Sequence, residues 1–271
     1  MAAPEGFVEL REGSGFGWIA AELAEHGLEP FWGALAPLPG AKGRGGVGVL
    51  EVGGREIVVR PCRRGGTFGS LLKDRYTSPS RVRAEIETIV ALRAEGVPTV
   101  APIAAIGKRH GAFWRLRLCT ERLPDALPLP AFLAAHPELR RRTAEAVGTL
   151  LRLSFAAGLR HPDLHLDNVL CADRGERVRA VLVDLDRARL RKPLEQRDID
   201  AMLVRMGRYV ARHRGRMAAV PSRAEELRLL RALGLSRSER KATYGRLAQK
   251  LRRALRNRDW LRGEKASAGE S

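Results

Sequence analysis

Runs of β-branched residues alternate with stretches of helical spacing in the first half of the chain. The runs VGVLEV and REIVVR flank Gly53-Gly54, and glycine supplies the positive φ of a tight turn, so the pattern predicts a β-hairpin. Apolar residues recur at helical spacing between Pro79 and Gly96, which suit a helix start and a helix end. The segment Ala112–Leu123 predicts a strand, which the next proline ends.

The second half of the chain predicts mostly helix. A long helix is expected between Pro137 and Gly158, and VRAVLVDLD predicts a buried strand. The further predictions are a short hairpin over 169–184, a helix over 199–214, and helix starts at two capping boxes, Ser222 with Glu225 and Ser236 with Glu239.

The order of these elements predicts an α+β chain in two lobes. A β-rich lobe covers 1–123 and a mainly helical lobe covers 124–271, with the boundary near Pro124–Pro130. Within the first lobe, residues 1–40 are interrupted by Gly and Pro. They predict an irregular lead-in with one short helix at Ile19–His26.

Composition changes this picture mainly through charge. The 271 residues include 49 Lys and Arg against 31 Asp and Glu, a net charge of +18. Such a charge suits nucleic acid, an anionic membrane or a phosphorylated substrate, although arginine excess also arises from genomic composition bias. No apolar run approaches the roughly 20 residues that span a bilayer. Three cysteines without a CxxC pair fit a reducing cytoplasm and argue against structural zinc.

The segment HPDLHLDNVL concentrates the candidate chemistry. In an extended strand, its alternate polar residues would point to one side and suit a divalent metal ion. These residues are His161, Asp163, His165 and Asp167. Ligands two residues apart on one strand lie about 7 Å from each other, however, which is poor geometry for a single ion. A metal-dependent hydrolase is therefore the weaker of two interpretations, and phosphoryl transfer is the other.

Chain order favours phosphoryl transfer. Asp163 and Asn168 lie five residues apart before the predicted hairpin, and Asp184 ends its apolar strand. Upstream come the glycine-rich turn GRGGVG, which is weak evidence by itself, a basic strand and a helix that carries Glu85. A phosphotransferase needs an Asp to accept the hydroxyl proton, an Asn and a second Asp to hold Mg²⁺, and a cation that a Glu orients.

These segments resemble the motifs of bacterial lipopolysaccharide-core kinases. HPDLHLDNVL and VLVDLDRARL are similar to the H-x-D-L-x-x-x-N and I-D-F-D-R motifs of that family, and GRGG, VVRPCRRGG, KDRY, RAEIETIVALRAEGVP and CTERLP match its lead-in in order. The resemblance covers Gly43 to Arg191 and is nearest to the 3-deoxy-D-manno-octulosonic acid (Kdo) kinases. It implies a protein-kinase-like two-lobed fold, with a small β-rich N-lobe, a helical C-lobe, and ATP and Mg²⁺ as cofactors.

The resemblance also implies roles for individual residues. Asp163 would be the catalytic base, His165 would lie near the γ-phosphate or the substrate, and Asn168 and Asp184 would bind magnesium. The residues implied in ATP binding are Gly43, Gly45 and Gly46 over the phosphates, Arg60 and Glu85 beside them, and Glu121 and Leu123 in a hinge that faces adenine.

Two features depart from protein kinases. Arg60 stands where those enzymes have a lysine, and its guanidinium is a fixed cation with a different hydrogen-bonding geometry. Nothing similar to the A-P-E motif follows Asp184. The shorter segment leaves room for a sugar substrate and argues against a protein kinase.

The implied function is ATP- and Mg²⁺-dependent phosphorylation of a sugar hydroxyl in the lipopolysaccharide inner core, with the Kdo unit of a lipid A precursor as the first candidate. The alternatives are a heptose kinase or another small-molecule phosphotransferase of this fold, and a basic nucleic-acid-binding or regulatory pseudokinase. Intact Asp163, Asn168 and Asp184 argue against a pseudokinase, and the chain has no aromatic-rich basic motif for nucleic acid. The expected partner is a glycolipid, and the expected location is the cytoplasm, peripheral on the inner membrane.

Some of these residues have a structural alternative. His161 is expected to brace the loop rather than to react. Glu87 is the alternative to Glu85 on the same predicted helix. Asp186 and Arg187 are expected to form a local ion pair, or Arg187 contacts an acidic sugar.

The last helix combines an apolar stripe with many basic residues. The stripe is Tyr244, Leu247, Leu251, Ala254 and Leu255. The first interpretation is a helix packed by this stripe against the rest of its lobe. The second is binding to an anionic lipid surface, to which each basic residue adds about 1 kcal/mol.

Overall fold

The structure of the protein, a computed structural model, describes residues 2–38, 46–63 and 74–267, with the backbone alone from residue 257 onward. The chain divides into two units. The first runs to Pro124 and includes Leu185–Arg187, and the second holds Asp125–Asp184 and the chain from Ala188 onward. That the first lobe binds the ATP phosphates and the second carries the catalytic loop and the metal-binding Asp stays a prediction.

The first unit is built on an antiparallel sheet. Its strands in the described residues are β1 (Phe7–Glu12), β2 (Gly15–Ala20), β3 (Ala36–Pro37), β4 (Gly48–Val52), β5 (Arg55–Pro61), β6 (Pro102–His110) and β7 (Phe113–Glu121). They are ordered β1-β2-β6-β7-β5-β4-β3 across the sheet. The predicted hairpin is confirmed as β4 and β5, joined by Gly53 and Gly54 with φ of 57° and 71°. The strand predicted at Ala112–Leu123 is confirmed as β7.

The prediction of an irregular lead-in over residues 1–40 is wrong. The segment contains β1 and β2, and the predicted short helix is present as a 3-10 helix at Ala21–His26, two residues later than expected because β2 runs to Ala20. A second 3-10 helix follows at Glu29–Trp32. Leu28 and Phe31 are buried in the core of the sheet. The physical reason is that β1 and β2 form a hairpin, and β2 also pairs with residues 104–108 of β6, a contact far along the chain that local glycine and proline content does not reveal.

The predicted helix after Pro79 is confirmed as α1 (Ser80–Ala94). It packs on β6 and β7 of the sheet through a buried face. The buried apolar residues of that face are Val82, Ile86, Ile89 and Leu92. Gly96 follows the helix with φ of 75°, in the left-handed region that glycine tolerates.

The second unit is mainly helical. Its helices in the described residues are α2 (Leu129–Ala135), α3 (Arg140–Ala156), α4 (Gln196–His213), α5 (Arg223–Ala232) and α6 (Arg237–Ser267), and its strands are β8 (Leu127–Pro128), β9 (Leu159–Arg160), β10 (Val169–Arg174), β11 (Arg177–Leu182) and β12 (Arg189–Leu190). The predicted hairpin over 169–184 is confirmed as β10 and β11. Both capping boxes are confirmed, because each serine Oγ accepts from the backbone N–H of its glutamate, whose carboxylate accepts from the backbone N–H of that serine.

Helix α6 is held against this unit by contacts of two kinds. Leu251 lies against Gly207 of α4, where an added Cβ would be 3.1 Å from Leu251 Cδ2, and the Arg223 guanidinium of α5 lies over the Tyr244 ring at 5.3 Å. Arg246 Nε and Lys250 Nζ donate to the buried Asp200 carboxylate of α4 at 2.9 and 2.6 Å. The burial of Asp200 raises the pKa of its carboxyl, but these bonds outweigh burial, so the pKa lies below its ordinary value. The observed packing therefore agrees with the first interpretation of the stripe.

Among the described residues, every helix is too short or too polar to cross a lipid bilayer.

We predict that Gly148→Ala destabilises the protein, although alanine usually stabilises a helix. A Cβ on Gly148 of α3 would lie 2.5 Å from the backbone oxygen of Leu229 in α5, and α5 cannot move without losing its own contacts. The free energy of unfolding, measured by urea titration, should fall by about 1–3 kcal/mol.

The matched control is Gly245→Ala in α6, where a Cβ would meet no atom within 4 Å. This change should leave the free energy of unfolding unchanged or raise it by up to about 1 kcal/mol. Equal effects of the two substitutions would show that the close α3–α5 approach does not limit residue size at position 148.

Candidate active site

The loop between β9 and β10 is folded by Asn168. The Asn168 backbone N–H donates to the His165 carbonyl at 3.0 Å, and the Asn168 side-chain Oδ1 accepts from the His165 N–H at 3.1 Å. A 3-10 turn forms at Leu166–Asn168, and Asn168 is buried. These bonds close the segment that follows Asp163 into a compact turn.

The hairpin register brings Asn168 and Asp184 to the same end of two paired strands. Val169 lies opposite Leu182, and the Val183 N–H donates to the Asn168 carbonyl at 2.9 Å. Asn168 precedes the first strand directly and Asp184 follows the second. Asp184 has a φ of 55°, a left-handed conformation that is uncommon for residues other than glycine and is found at functional sites.

The side chains of Asn168 and Asp184 fit a magnesium ion in their chemistry. Both offer oxygen atoms, and Mg²⁺ is bound by one or two carboxylates and completes its octahedron with water and substrate phosphates. Among the described residues, no group of three or more His, Cys, Asp or Glu is placed to hold a metal ion. An Asn with one Asp is nevertheless a sufficient protein contribution for a magnesium ion that also binds phosphate oxygens.

The alternative of a metal site on one extended strand is wrong. The segment turns at Leu166–Asn168 instead of running straight, and its polar side chains have separate partners. Asp163 contacts Arg205, His165 stacks on Tyr209, and the Tyr209 hydroxyl donates to Asp167. The four candidate side chains are therefore not gathered around one ion position.

His161 is buried at the start of the loop, as the structural alternative predicted. Its backbone N–H points to the Met202 sulfur at 3.3 Å, and its Nδ1 accepts from the Asp163 N–H at 3.4 Å. Burial lowers the pKa of His161, and the negative charges of Asp184 and Asp163 offset only part of this effect. A neutral imidazole that accepts from the backbone of Asp163 braces the loop.

Asp163 is the most exposed of the predicted catalytic residues, with 63% of its side chain accessible. Its Oδ1 accepts from Arg205 Nε at 2.9 Å and also from Arg205 Nη2. The sequence did not predict Arg205, because it lies 42 residues further along the chain, on α4.

The side chain of His165, like that of Asp163, contacts α4. Its ring stacks on Tyr209 with a centroid distance of 4.7 Å and an angle of 15° between the planes. Burial lowers the pKa of His165, although the negative charge of Asp163 opposes it. Burial and the bond to Asp167 both raise the pKa of Tyr209. The predicted role of His165 near a γ-phosphate stays a prediction.

In the first unit, Arg60 forms an ion pair with the buried Glu85. Arg60 Nη2 of β5 lies 2.5 Å from Glu85 Oε1 and 2.6 Å from Oε2 of α1. The Glu85 side chain is only 1% exposed, whereas the alternative, Glu87, is half-buried. The structure therefore shows Glu85 as the partner of Arg60, and the role of the pair in ATP binding stays a prediction.

Asp186 also has a partner on α1 that the sequence did not reveal. Arg81 Nε donates to Asp186 Oδ1 at 2.7 Å, and Arg81 Nη2 donates to Oδ2. The predicted local pair of Asp186 with Arg187 is present at 4.0 Å, so it is the weaker of the two contacts. Arg187 has a φ of 60°, which marks a sharp turn after the strand.

The structure describes some of the remaining residues that were predicted to bind ATP, and others lie outside the described residues. Gly43 and Gly45 lie outside the described residues, whereas Gly46 is exposed with a φ of 61°. Glu121 ends β7, and its N–H donates to the Ala101 carbonyl at 2.9 Å. That N–H is therefore not available to adenine, and the Glu121 carbonyl and half-buried Leu123 remain as predicted hinge groups.

Comparisons with known proteins support phosphoryl transfer. The family model described as "Lipopolysaccharide kinase (Kdo/WaaP) family" matches residues 34–233. A 3-deoxy-D-manno-octulosonic acid kinase of Xanthomonas oryzae pv. oryzae is 32% identical over 247 residues, which are 86% of this chain and 96% of the relative. A protein of the same name from Vibrio parahaemolyticus is 29% identical over 182 residues, 64% of this chain and 75% of the relative.

A solved structure titled "WaaP in complex with acyl carrier protein" is similar in fold. The match has a TM-score of 0.54 and 21% sequence identity, and it covers 79% of this chain and 87% of that one. At this identity the likeness concerns the fold alone. It confirms the predicted protein-kinase-like fold, with a sheet-rich N-terminal part and a helical C-terminal part.

Proposed function

The chain belongs to the lipopolysaccharide kinase (Kdo/WaaP) family, and on that premise we propose that it transfers the γ-phosphoryl group of ATP to a hydroxyl of the Kdo unit on a lipid A precursor. As a member of this family the protein is a kinase of lipopolysaccharide biosynthesis. The relatives named above carry Kdo in their names, which supports this acceptor over heptose.

The observation that carries the proposal is the hairpin end at which Asn168 and Asp184 meet. The Val169–Leu182 register and the bond from Val183 to Asn168 bring these two residues to the same end of the hairpin, which supports the proposal that both side chains bind one magnesium ion. A magnesium ion bound there would neutralise charge on the phosphate oxygens during transfer. Phosphoryl transfer depends mainly on such positioning and charge stabilisation.

Asp163 is proposed as the base that accepts the proton of the acceptor hydroxyl. Its side chain is exposed, so an acceptor can reach it. The loop that carries it is fixed by the two bonds between His165 and Asn168. The base therefore has a defined position relative to Asn168, and His165 is proposed to contact the γ-phosphate or the acceptor.

Arg60 is proposed to bind the ATP phosphates, with Glu85 to orient it. The Glu85 carboxylate holds one end of the guanidinium, and a guanidinium has further N–H groups for phosphate oxygens. Gly43, Gly45 and Gly46 are proposed to cover the phosphates, and Glu121 and Leu123 to face adenine.

The proposed reaction is tested by transfer of labelled γ-phosphate to Kdo-bearing lipid A precursor. Wild type should transfer label in the presence of Mg²⁺, and Asp163→Ala should lower the rate by about 10²–10⁴-fold, the usual contribution of a general base. Asp173→Ala, an exposed acid at the far end of the same hairpin, is the matched control and should keep the wild-type rate.

Other outcomes would redirect the proposal. Transfer only to a heptose-bearing acceptor would keep the kinase and change the sugar. A rate that survives Asp163→Ala would remove Asp163 as the base. Absence of Mg²⁺-dependent ATP turnover with any acceptor would contradict phosphoryl transfer itself.

We expect Glu85→Gln to lower the catalytic efficiency of the protein with ATP. Loss of the carboxylate charge removes the ion pair between Arg60 and Glu85, so the orientation of the guanidinium is less restricted. kcat/KM for ATP should fall about 10-fold or more, because misplaced phosphate contacts are costly. Glu87→Gln on the same helix is the control and should behave as wild type, and equal losses in both variants would contradict the assignment of Glu85.

Contact with an anionic membrane surface is proposed for the outer face of α6. Arg252, Arg253 and Arg256 are exposed there, whereas Arg246 and Lys250 are engaged by Asp200. A glycolipid acceptor would be presented at such a surface.

In flotation with vesicles that contain anionic lipid, the double variant R252Q/R253Q should bind about 10–30-fold more weakly than wild type, since each basic residue adds about 1 kcal/mol. The double variant R177Q/R179Q, with the same loss of charge on exposed positions of β11, should bind as wild type. Equal losses would indicate an effect of net charge rather than a docking face.

A further inference from the structure

We propose that Arg205 is a positioning residue for the reaction: it holds Oδ1 of Asp163 so that Oδ2 meets the acceptor hydroxyl. The inference rests on the proposed role of Asp163 as the base. Arg205 acts through Asp163 and is not required to touch the substrate.

The geometry of the pair singles out one oxygen. Nε and Nη2 of Arg205 both donate to Oδ1 of Asp163, whereas a side-on guanidinium would engage both carboxylate oxygens. In the part of the chain that the structure describes, Oδ2 receives no hydrogen bond from Arg205 and stays accessible with the 63% exposed side chain. One oxygen is therefore fixed and the other is presented.

An exposed aspartate requires such a contact if it is to act as a base. A solvent-exposed carboxylate samples several staggered rotamers, and only one of them places an oxygen within hydrogen-bonding distance of a bound hydroxyl. The Arg205 side chain is only 21% exposed, so the cation is the less mobile partner of the pair. It selects one rotamer of Asp163 before the acceptor binds, which lowers the entropic cost of reaching a reactive geometry.

One face of α4 supports this role by contacting the loop at three positions. Met202 lies against the backbone N–H of His161, Arg205 binds Asp163, and Tyr209 stacks on His165. These α4 residues are spaced three and four apart, so they lie on the same side of the helix. This face of α4 therefore contacts the loop from His161 to His165.

The helix that carries Arg205 is itself anchored at its N-terminal end. Asp198 forms an ion pair with Arg160 of β9 at 3.2 Å. Two residues later, Asp200 accepts bonds from Arg246 and Lys250 of α6. Both carboxylates are buried, so these contacts are shielded from water more than surface ion pairs are. A fixed helix makes Arg205 a fixed reference for Asp163.

An ordinary surface ion pair is the alternative explanation, and such pairs contribute about 0–1 kcal/mol to stability without affecting a reaction. The two explanations differ in a double-mutant cycle. A residue that acts only through Asp163 loses its effect once Asp163 is replaced, whereas a residue with a general structural role lowers the rate in either background.

The experiment measures kcat and the KM for ATP, with Kdo-bearing lipid A precursor as acceptor, for Arg205→Gln and Arg205→Lys in the wild-type and Asp163→Ala backgrounds. We expect Arg205→Gln to lower kcat about 10–100-fold with an unchanged KM for ATP, because the base is misplaced and the ATP contacts are not. Lysine should restore part of kcat, since it keeps the charge but has no planar pair of donors. In Asp163→Ala, neither change should lower the residual rate further.

Arg208→Gln, three residues along α4, is the control for loss of an arginine from this helix and should keep the wild-type kcat. Melting temperatures identify variants that lose folded protein, and Arg205→Lys keeps the test valid if Arg205→Gln does not fold. A wild-type kcat in Arg205→Gln, or an equal fold-loss in both backgrounds, would overturn the inference. If Asp163→Ala itself keeps full activity, the base assignment fails first and the two failures are distinguished.

Discussion

The candidate active site depends on Asn168, which joins the loop that carries Asp163 to the hairpin that ends before Asp184. Its backbone N–H and its side-chain Oδ1 both bind His165, and its carbonyl accepts from Val183. A buried amide with these partners has little freedom to move. The positions of the proposed base and of the two side chains proposed to bind magnesium therefore share one hydrogen-bonded centre, which suits a reaction that relies on positioning more than on covalent chemistry.

In each of the two units, arginines pair with carboxylates of the proposed site or next to it. Arg60 binds Glu85 and Arg81 binds Asp186 in the first unit, and Arg205 binds Asp163 in the second. Arginine suits this task because its planar guanidinium holds several N–H donors in a fixed geometry and never loses its charge. A lysine at the same positions would provide charge without orientation. The departure of Arg60 from the protein-kinase lysine thus follows a pattern found elsewhere in this molecule.

The sequence predicted the parts of the fold that depend on neighbours along the chain. Gly53-Gly54 marks a hairpin, and Ser222 with Glu225 marks a helix start, because each is stabilised by bonds within a few residues. An exception is the local β1–β2 hairpin, which was missed although Gly13 marks its turn with a positive φ. The pairing of β2 with β6 could not be predicted, since β6 lies some 90 residues later in the chain. Arg205 was missed for the same reason: its spacing on α4 gives no indication of which loop that face of the helix contacts.

These ion pairs also change what the high positive charge implies. The chain carries a net charge of +18, which by itself suggests an anionic partner. Several arginines, however, neutralise carboxylates that are buried or partly buried, among them Arg60, Arg140 and Arg246. Charge that is paired inside the fold adds little to the attraction of a distant anion. The case for an anionic surface as partner therefore depends on the exposed arginines of α6 and on their location, and the net charge of the whole chain is the weaker evidence.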